Sequence, residues 1–126
     1  MRPMLPAALA AACCAVAPAS AVPRQQVTAT PNPVSFGQQL TIKGTGWTVF
    51  ENCEREVQLK LKSAQNAFTI GTAHVRRSQR FTKRFTPRRS RVGAGRWRLV
   101  VRQRCESGKD GSIFFQRASV SLRIRS

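Results

Sequence analysis

The stretch RWRLVVRQRC, residues 96–105, alternates between two classes of side chain along its length. Successive side chains of a β-strand point to opposite faces of a sheet, so this period of two predicts a half-buried strand. The parity expected to face inward is Trp97, Leu99, Val101, Gln103 and Cys105. The other parity is rich in arginine and is expected to face water.

The same alternation recurs on both sides of this stretch, and no segment shows a sustained helical period. Six further strands are predicted, at residues 26–30, 38–44, 57–62, 68–75, 80–86 and 118–124. The segment ESGKDGS, residues 106–112, predicts a hairpin connection whose glycines can adopt positive φ. About seven short strands without a helix indicate an all-β domain, a single antiparallel two-sheet sandwich, with a small closed barrel as the alternative.

The first 21 residues have the pattern of a secretory signal peptide. A positive start at Arg2 precedes an apolar stretch at residues 5–16, and Ala19-Ser20-Ala21 gives a small-x-small cleavage pattern. The apolar stretch is shorter than the ~20 residues of a transmembrane helix. We therefore expect residues 1–21 to be removed and residues 22–126 to form one secreted or periplasmic domain.

Cleavage at this position would leave two cysteines, Cys53 and Cys105. Two cysteines in an exported chain predict one disulfide. The alternatives are two free thiols or a metal pair, but two sulfurs and one distant histidine make a poor zinc site. A rival interpretation of the leader makes Cys13 a lipoprotein anchor, although Ala10 stands where such a site prefers leucine.

The composition limits the chemistry that the chain can perform. It has 22 Lys+Arg, 5 Asp+Glu and one His, a net charge of +17, while 41% hydrophobic residues argue against a disordered tail. His74 has no acid or cysteine near it in sequence, and the serines lack a nucleophile-elbow context. Glu51, Glu54 and Glu56 are expected to pair with arginines rather than to hold calcium. We therefore expect no enzyme activity, no metal and no cofactor.

Two segments resemble a known family. VTATPNPV at residues 27–34, followed by GQQLTIKGTGW at 37–47, resembles the opening of bacterial immunoglobulin-like domains of the IPT/TIG type. GRWRLVV at 95–101 is similar to the Gly-x-aromatic-x-Leu-x-Val strand of such sandwiches. The resemblance implies an extracytoplasmic β-sandwich used for adhesion, spacing or binding. It also implies that the strands containing Val57, Trp97 and Val120 lie side by side.

The positive charge is concentrated, because residues 76–104 hold twelve Lys/Arg and no acid. Alternation in the three neighbouring strands places seven cations on one outer sheet face: Lys60, Lys62, Arg98, Arg102, Arg104, Arg123 and Arg125. These are the predicted site residues, and residues 77–91 are expected to add a basic loop at one end. Crowded cations repel one another and attract polymers rich in phosphate or carboxylate.

We therefore expect a binding or adhesion module that contacts anionic polymers or envelope surfaces. Nucleic acid is disfavoured as the natural partner, because the predicted outward positions carry no aromatic residue and there is no recognition helix. One alternative is an arginine-rich composition that only keeps the domain soluble. Another is an inhibitor or accessory subunit that binds a protein through the loops at residues 51–56 or 78–94.

Overall fold

The computed structural model describes residues 25–49 and 52–126, and its regular structure there is entirely β. The predicted signal peptide, Cys13 and Glu51 lie outside the described residues. The eight strands are β1 (Gln26–Thr30), β2 (Val34–Ser35), β3 (Leu40–Thr45), β4 (Cys53–Lys62), β5 (Ala67–His74), β6 (Phe81–Phe85), β7 (Gly95–Glu106) and β8 (Ile113–Arg125). Within these ranges no helix has the length and apolar character needed to cross a bilayer.

The strands form two sheets. One has the order β1-β3-β6, and the other has the order β2-β8-β7-β4-β5 and curls into a half-barrel. All pairings are antiparallel except that of β2 with the end of β8. The predicted all-β, two-sheet architecture is confirmed. The eighth strand, β2, has only two residues and is too short to show a period in the sequence.

The core lies between the two sheets and is built from the inward parity of their strands. Leu40, Ile42 and Phe81 from the three-stranded sheet are almost completely buried, as are Leu59 and Leu99 from the five-stranded sheet. All of them belong to one apolar cluster. The inward parity predicted for β7, including Cys105, is confirmed.

Two segments depart from simple alternation. On β5, Leu59 of β4 pairs with Gly71 and Lys60 pairs with Thr69, so Ile70 is an extra residue in a bulge. The bulge changes the parity within the strand, which is why the sequence pattern there is weak. The basic loop predicted at residues 77–91 is only partly a loop, because its middle forms β6 and pairs with β3.

Packing against the core fixes the conformation of the segment Gly44-Thr45-Gly46-Trp47. Trp47 is fully buried, its indole N–H lies 3.3 Å from the carbonyl oxygen of Gln26, and its ring meets the Phe81 ring edge-on. The Phe81 ring also lies against Gly44 and occupies the space that a side chain there would need. Gly46 has a φ of 78°, which glycine adopts without strain.

Substitution of Gly44 tests this packing. We expect Gly44→Ala to lower the free energy of unfolding by about 1–3 kcal/mol, because the new methyl group overlaps the Phe81 ring. Gly93→Ala is the control, since nothing lies within 4 Å of a Cβ built at Gly93. Urea denaturation of both variants measures the difference. Equal stability of the two variants would contradict the packing.

The predicted disulfide is present between Cys53 and Cys105, which are 52 residues apart in the chain. It joins the first residue of β4 to the end of β7, two neighbouring strands of the same sheet. Its position beside the core therefore fastens the strand pair that forms the centre of the five-stranded sheet. A disulfide of this kind is typical of proteins in oxidising, extracytoplasmic compartments.

Removal of the disulfide should weaken the whole domain. We expect the double variant Cys53→Ala/Cys105→Ala to lose about 2–4 kcal/mol in the free energy of unfolding, because the unfolded chain is no longer cross-linked. Denaturant unfolding with and without a reductant measures the loss. Reductant should destabilise the parent protein and leave the double variant unchanged. An unchanged free energy of unfolding for the parent protein in reductant would contradict a stabilising role of the disulfide.

Candidate anion-binding site

The three strands β4, β7 and β8 lie side by side, as expected. The seven predicted cations all occupy outward positions of these strands. Five of them are exposed, and Lys60 and Arg102 are half-buried among their neighbours. The core therefore orients them, because the inward residues between them are fixed in the apolar cluster.

Two further cations share this surface and were missed from the sequence. Arg96 pairs with Arg123, and Arg117 pairs with Arg102, both on the outward parity. Arg96 opens the stretch at residues 96–105 but was not counted among the predicted cations, and the last strand was predicted to begin at Ala118, whereas β8 begins at Ile113 and includes Arg117. The complete set, called here the basic face, is Lys60, Lys62, Arg96, Arg98, Arg102, Arg104, Arg117, Arg123 and Arg125.

The register places cations directly opposite one another. The three opposed pairs are Lys62 with Arg98, Arg102 with Arg117, and Arg96 with Arg123. Directly opposite side chains in an antiparallel pair have Cβ atoms about 4.5–5.5 Å apart, and like charges there are destabilising. The outer surface of the sheet therefore holds charge at a density that opposes its own folding.

Neutral acceptors hold two of these guanidinium groups. Arg102 donates from Nε to the side-chain oxygen of Gln58 at 3.0 Å, and Arg98 donates to the hydroxyl of Ser119 at 3.0 Å. Among the described residues, Arg104 is the one member of the basic face with an ion pair, 3.5 Å from Glu54. No described carboxylate lies within ion-pair distance of the other side chains of the face.

An aromatic ring stands within the basic face. The Arg102 guanidinium lies 4.6 Å from the centroid of Phe115, and that of Arg117 lies 5.9 Å from the same centroid. The predicted outward positions carry no aromatic residue, but β8 begins before the predicted strand and places Phe115 on its outward parity. The electron-rich ring attracts both cations, and this attraction offsets part of their mutual repulsion.

A small depression opens at the centre of the face. Val100 has a short side chain and is flanked on neighbouring strands by Lys60 and Ser119. The depression has a volume of about 60 Å³. Its lining consists of Gln58, Lys60, Lys62, Val100, Arg102 and Arg117. Four cations and an amide thus surround one small space on the outer side of the sheet.

The described acidic residues lie towards one end of this surface, where Glu54 and Glu56 share the outward parity of β4 with Lys60 and Lys62. Glu106 and Asp110 belong to the β7–β8 hairpin, away from the depression. The backbone N–H and the hydroxyl of Ser112 donate to the Asp110 carboxylate and lower its pKa, with a smaller contribution from the Ser107 hydroxyl. Asp110 therefore stays ionised at neutral pH, and the hairpin tip is less positive than the sheet.

The remaining candidates from the sequence form no cluster of their own. His74 is exposed on β5 opposite Glu56, and Glu54 pairs with Arg104 as expected. In the described ranges no group of three or more His, Cys, Asp or Glu side chains converges. The chemistry that the arrangement supports is electrostatic attraction and hydrogen bonding to anionic groups.

Comparison of the chain with protein-family models and with curated proteins gave no match. The likeness to IPT/TIG-type domains therefore rests on the motifs quoted above.

The opposed cations should make stability depend on salt. We expect Arg123→Thr to raise the free energy of unfolding by about 0.2–1 kcal/mol at low salt, because it removes repulsion with Arg96. The gain should shrink as salt screens the charges. Arg104→Thr is the matched control and should give no gain, because Arg104 is paired with Glu54. Urea denaturation at two salt concentrations measures both, and a gain for Arg104→Thr alone would contradict the account.

Proposed function

We propose that this chain is an exported, non-enzymatic module that binds anionic polymers through its basic face. One observation carries the proposal. The basic face has nine cations on three adjacent strands, three directly opposed like-charge pairs among them, and one ion pair in the described part of the chain. A ligand with repeated negative charges would relieve the repulsion that the fold retains there.

The spacing of the cations suits such a ligand. Adjacent strands are ~4.8 Å apart, and side chains on one face recur every ~6.7 Å along a strand. A flexible polyanion can therefore contact several cations of the face at once, and each contact releases counterions. The central depression offers one place where a single phosphate or carboxylate group meets four cations together.

The compartment and the fold are proposed on separate grounds. The disulfide between Cys53 and Cys105 and the signal-peptide pattern of residues 1–21 both support export. The two-sheet architecture and the packing of Gly44 against Phe81 support an immunoglobulin-like sandwich. The curl of the larger sheet and its intra-sheet disulfide distinguish this domain from the antibody type, whose bridge crosses the core.

Envelope polymers rich in phosphate or carboxylate are preferred over nucleic acid as the ligand. Base stacking needs a free aromatic face. The ring of Phe115 already has two guanidinium groups beside it, so a base would have to displace Arg102 in order to stack there.

Salt-dependent retention on immobilised polyphosphate tests the proposal. We expect log K to fall linearly with log salt for the parent protein. The variant Lys60→Glu/Lys62→Glu/Arg98→Glu/Arg102→Glu should elute at lower salt. Its slope should be smaller by up to ~3, since each of the four lost phosphate contacts removes ~0.7 for a single-stranded polymer.

A second variant separates position from net charge. Arg77→Glu/Arg88→Glu/Arg89→Glu/Arg91→Glu changes the net charge by the same amount, at exposed sites outside the sheets. We expect it to elute near the parent protein. Equal losses in the two variants would show that total charge alone governs retention, and a loss confined to the second variant would assign binding to the loops. Either result would refute the role of the basic face.

A further inference from the structure

The three-stranded sheet carries a second cluster of cations on its own outer surface. Lys43 of β3 and Arg84 of β6 lie on its outward parity. The turn between β5 and β6 adds Arg76 and Arg80 beside them. These four residues, all exposed, are called here the second basic surface.

Part of this surface forms a broad concavity of about 450 Å³. Lys43, Arg76 and Arg80 line it together with Thr45, Ser78 and Thr82. Three cations and three hydroxyl groups thus face one space. Hydroxyls and guanidinium groups are both common donors to phosphate oxygens.

The turn that supplies the arginines is held in place by hydrogen bonds. The Arg76 backbone N–H donates to the carbonyl of Arg80 at 2.8 Å, and the Gln79 N–H donates to the carbonyl of Arg76 at 2.8 Å. The Arg76 guanidinium also donates to the Thr82 hydroxyl at 3.3 Å. Of the described acidic residues, none belongs to β1, β3, β6 or this turn.

Lys43 and Arg84 of the second basic surface lie on the outward side of one sheet, and the basic face lies on the outward side of the other. The two sheets share one core between them, so their outward sides face away from each other. Packed sheets are ~10 Å apart, and the side chains extend beyond them, whereas the Debye length at physiological salt is ~8 Å. An anion bound on one side therefore leaves the charge on the other side available.

We propose that a single copy of this protein bridges two anionic polymer chains, one held on the basic face and one on the second basic surface. The inference rests on the proposed function for the basic face. It adds that the molecule is bivalent, so its effect is to cross-link polyanions rather than only to adhere to one of them. Both contacts are reversible and weaken as salt rises.

Clustering of beads with covalently attached polyphosphate tests bivalency. A rigid bead can contact one side of a molecule, so clustering by a monomer requires both surfaces. We expect the parent protein, shown to be monomeric by sedimentation, to cluster beads at intermediate concentration. Clustering should disappear at high concentration, when every bead is saturated with its own protein.

The decisive variant reverses the second basic surface: Lys43→Glu/Arg76→Glu/Arg80→Glu/Arg84→Glu. We expect it to bind single beads through the basic face and to lose clustering. The variant Arg88→Glu/Arg89→Glu/Arg91→Glu/Lys109→Glu has the same net charge, changes exposed sites outside both surfaces, and should still cluster beads. Thermal unfolding of each variant confirms that it is folded before the comparison.

The outcomes separate this inference from the proposed function. Clustering by the second-surface variant at the parent level would overturn bridging and leave binding by the basic face intact. Complete loss of bead binding by that variant would overturn both, because the basic face would then have no independent affinity. Clustering caused by a dimer of the parent protein would also overturn bridging by a single copy.

Discussion

The register of β4, β7 and β8 is the constraint on which the rest of the structure depends. Leu59, Leu61, Leu99, Val101 and Leu122 face the core from these strands and are almost fully buried. A slip of one residue would exchange the two faces and bring arginines into the core, where an unpaired charge is costly. The same packing that stabilises the domain therefore decides which cations stand together on the surface.

Stability and binding make opposite demands on the outer surface. The core, the disulfide and the closely packed Trp47–Phe81 pair all favour the folded state. The opposed pairs of the basic face act against it, and the ring of Phe115 offsets only part of that repulsion. Natural proteins retain such local conflicts mainly at functional sites. The repulsion among the opposed cations therefore favours a ligand at the basic face.

The sequence predicts the features that a period of two controls, and it misses those that need tertiary structure. The alternation of side chains predicted seven strands and seven of the nine cations of the basic face. The disulfide was predicted because two cysteines remain after removal of the expected signal peptide. The two-residue β2 and the bulge at Ile70 have no period to detect. Extending the alternation of the last predicted strand by one residue would have included Arg117. Phe115 lies three residues before that predicted strand, so its outward position was not predicted. The second basic surface depends on how the β5–β6 turn folds over β3, which no local pattern specifies.

Protection of individual lysines from acetylation shows whether polyphosphate occupies the basic face. The protein is treated with a limiting amount of acetylating reagent, with and without polyphosphate, and each site is quantified by mass spectrometry. We expect strong protection of Lys60 and Lys62, which line the depression in the basic face, and little protection of Lys109 at the hairpin. Unchanged acetylation of Lys60 and Lys62 under conditions where polyphosphate is bound would contradict binding at the basic face.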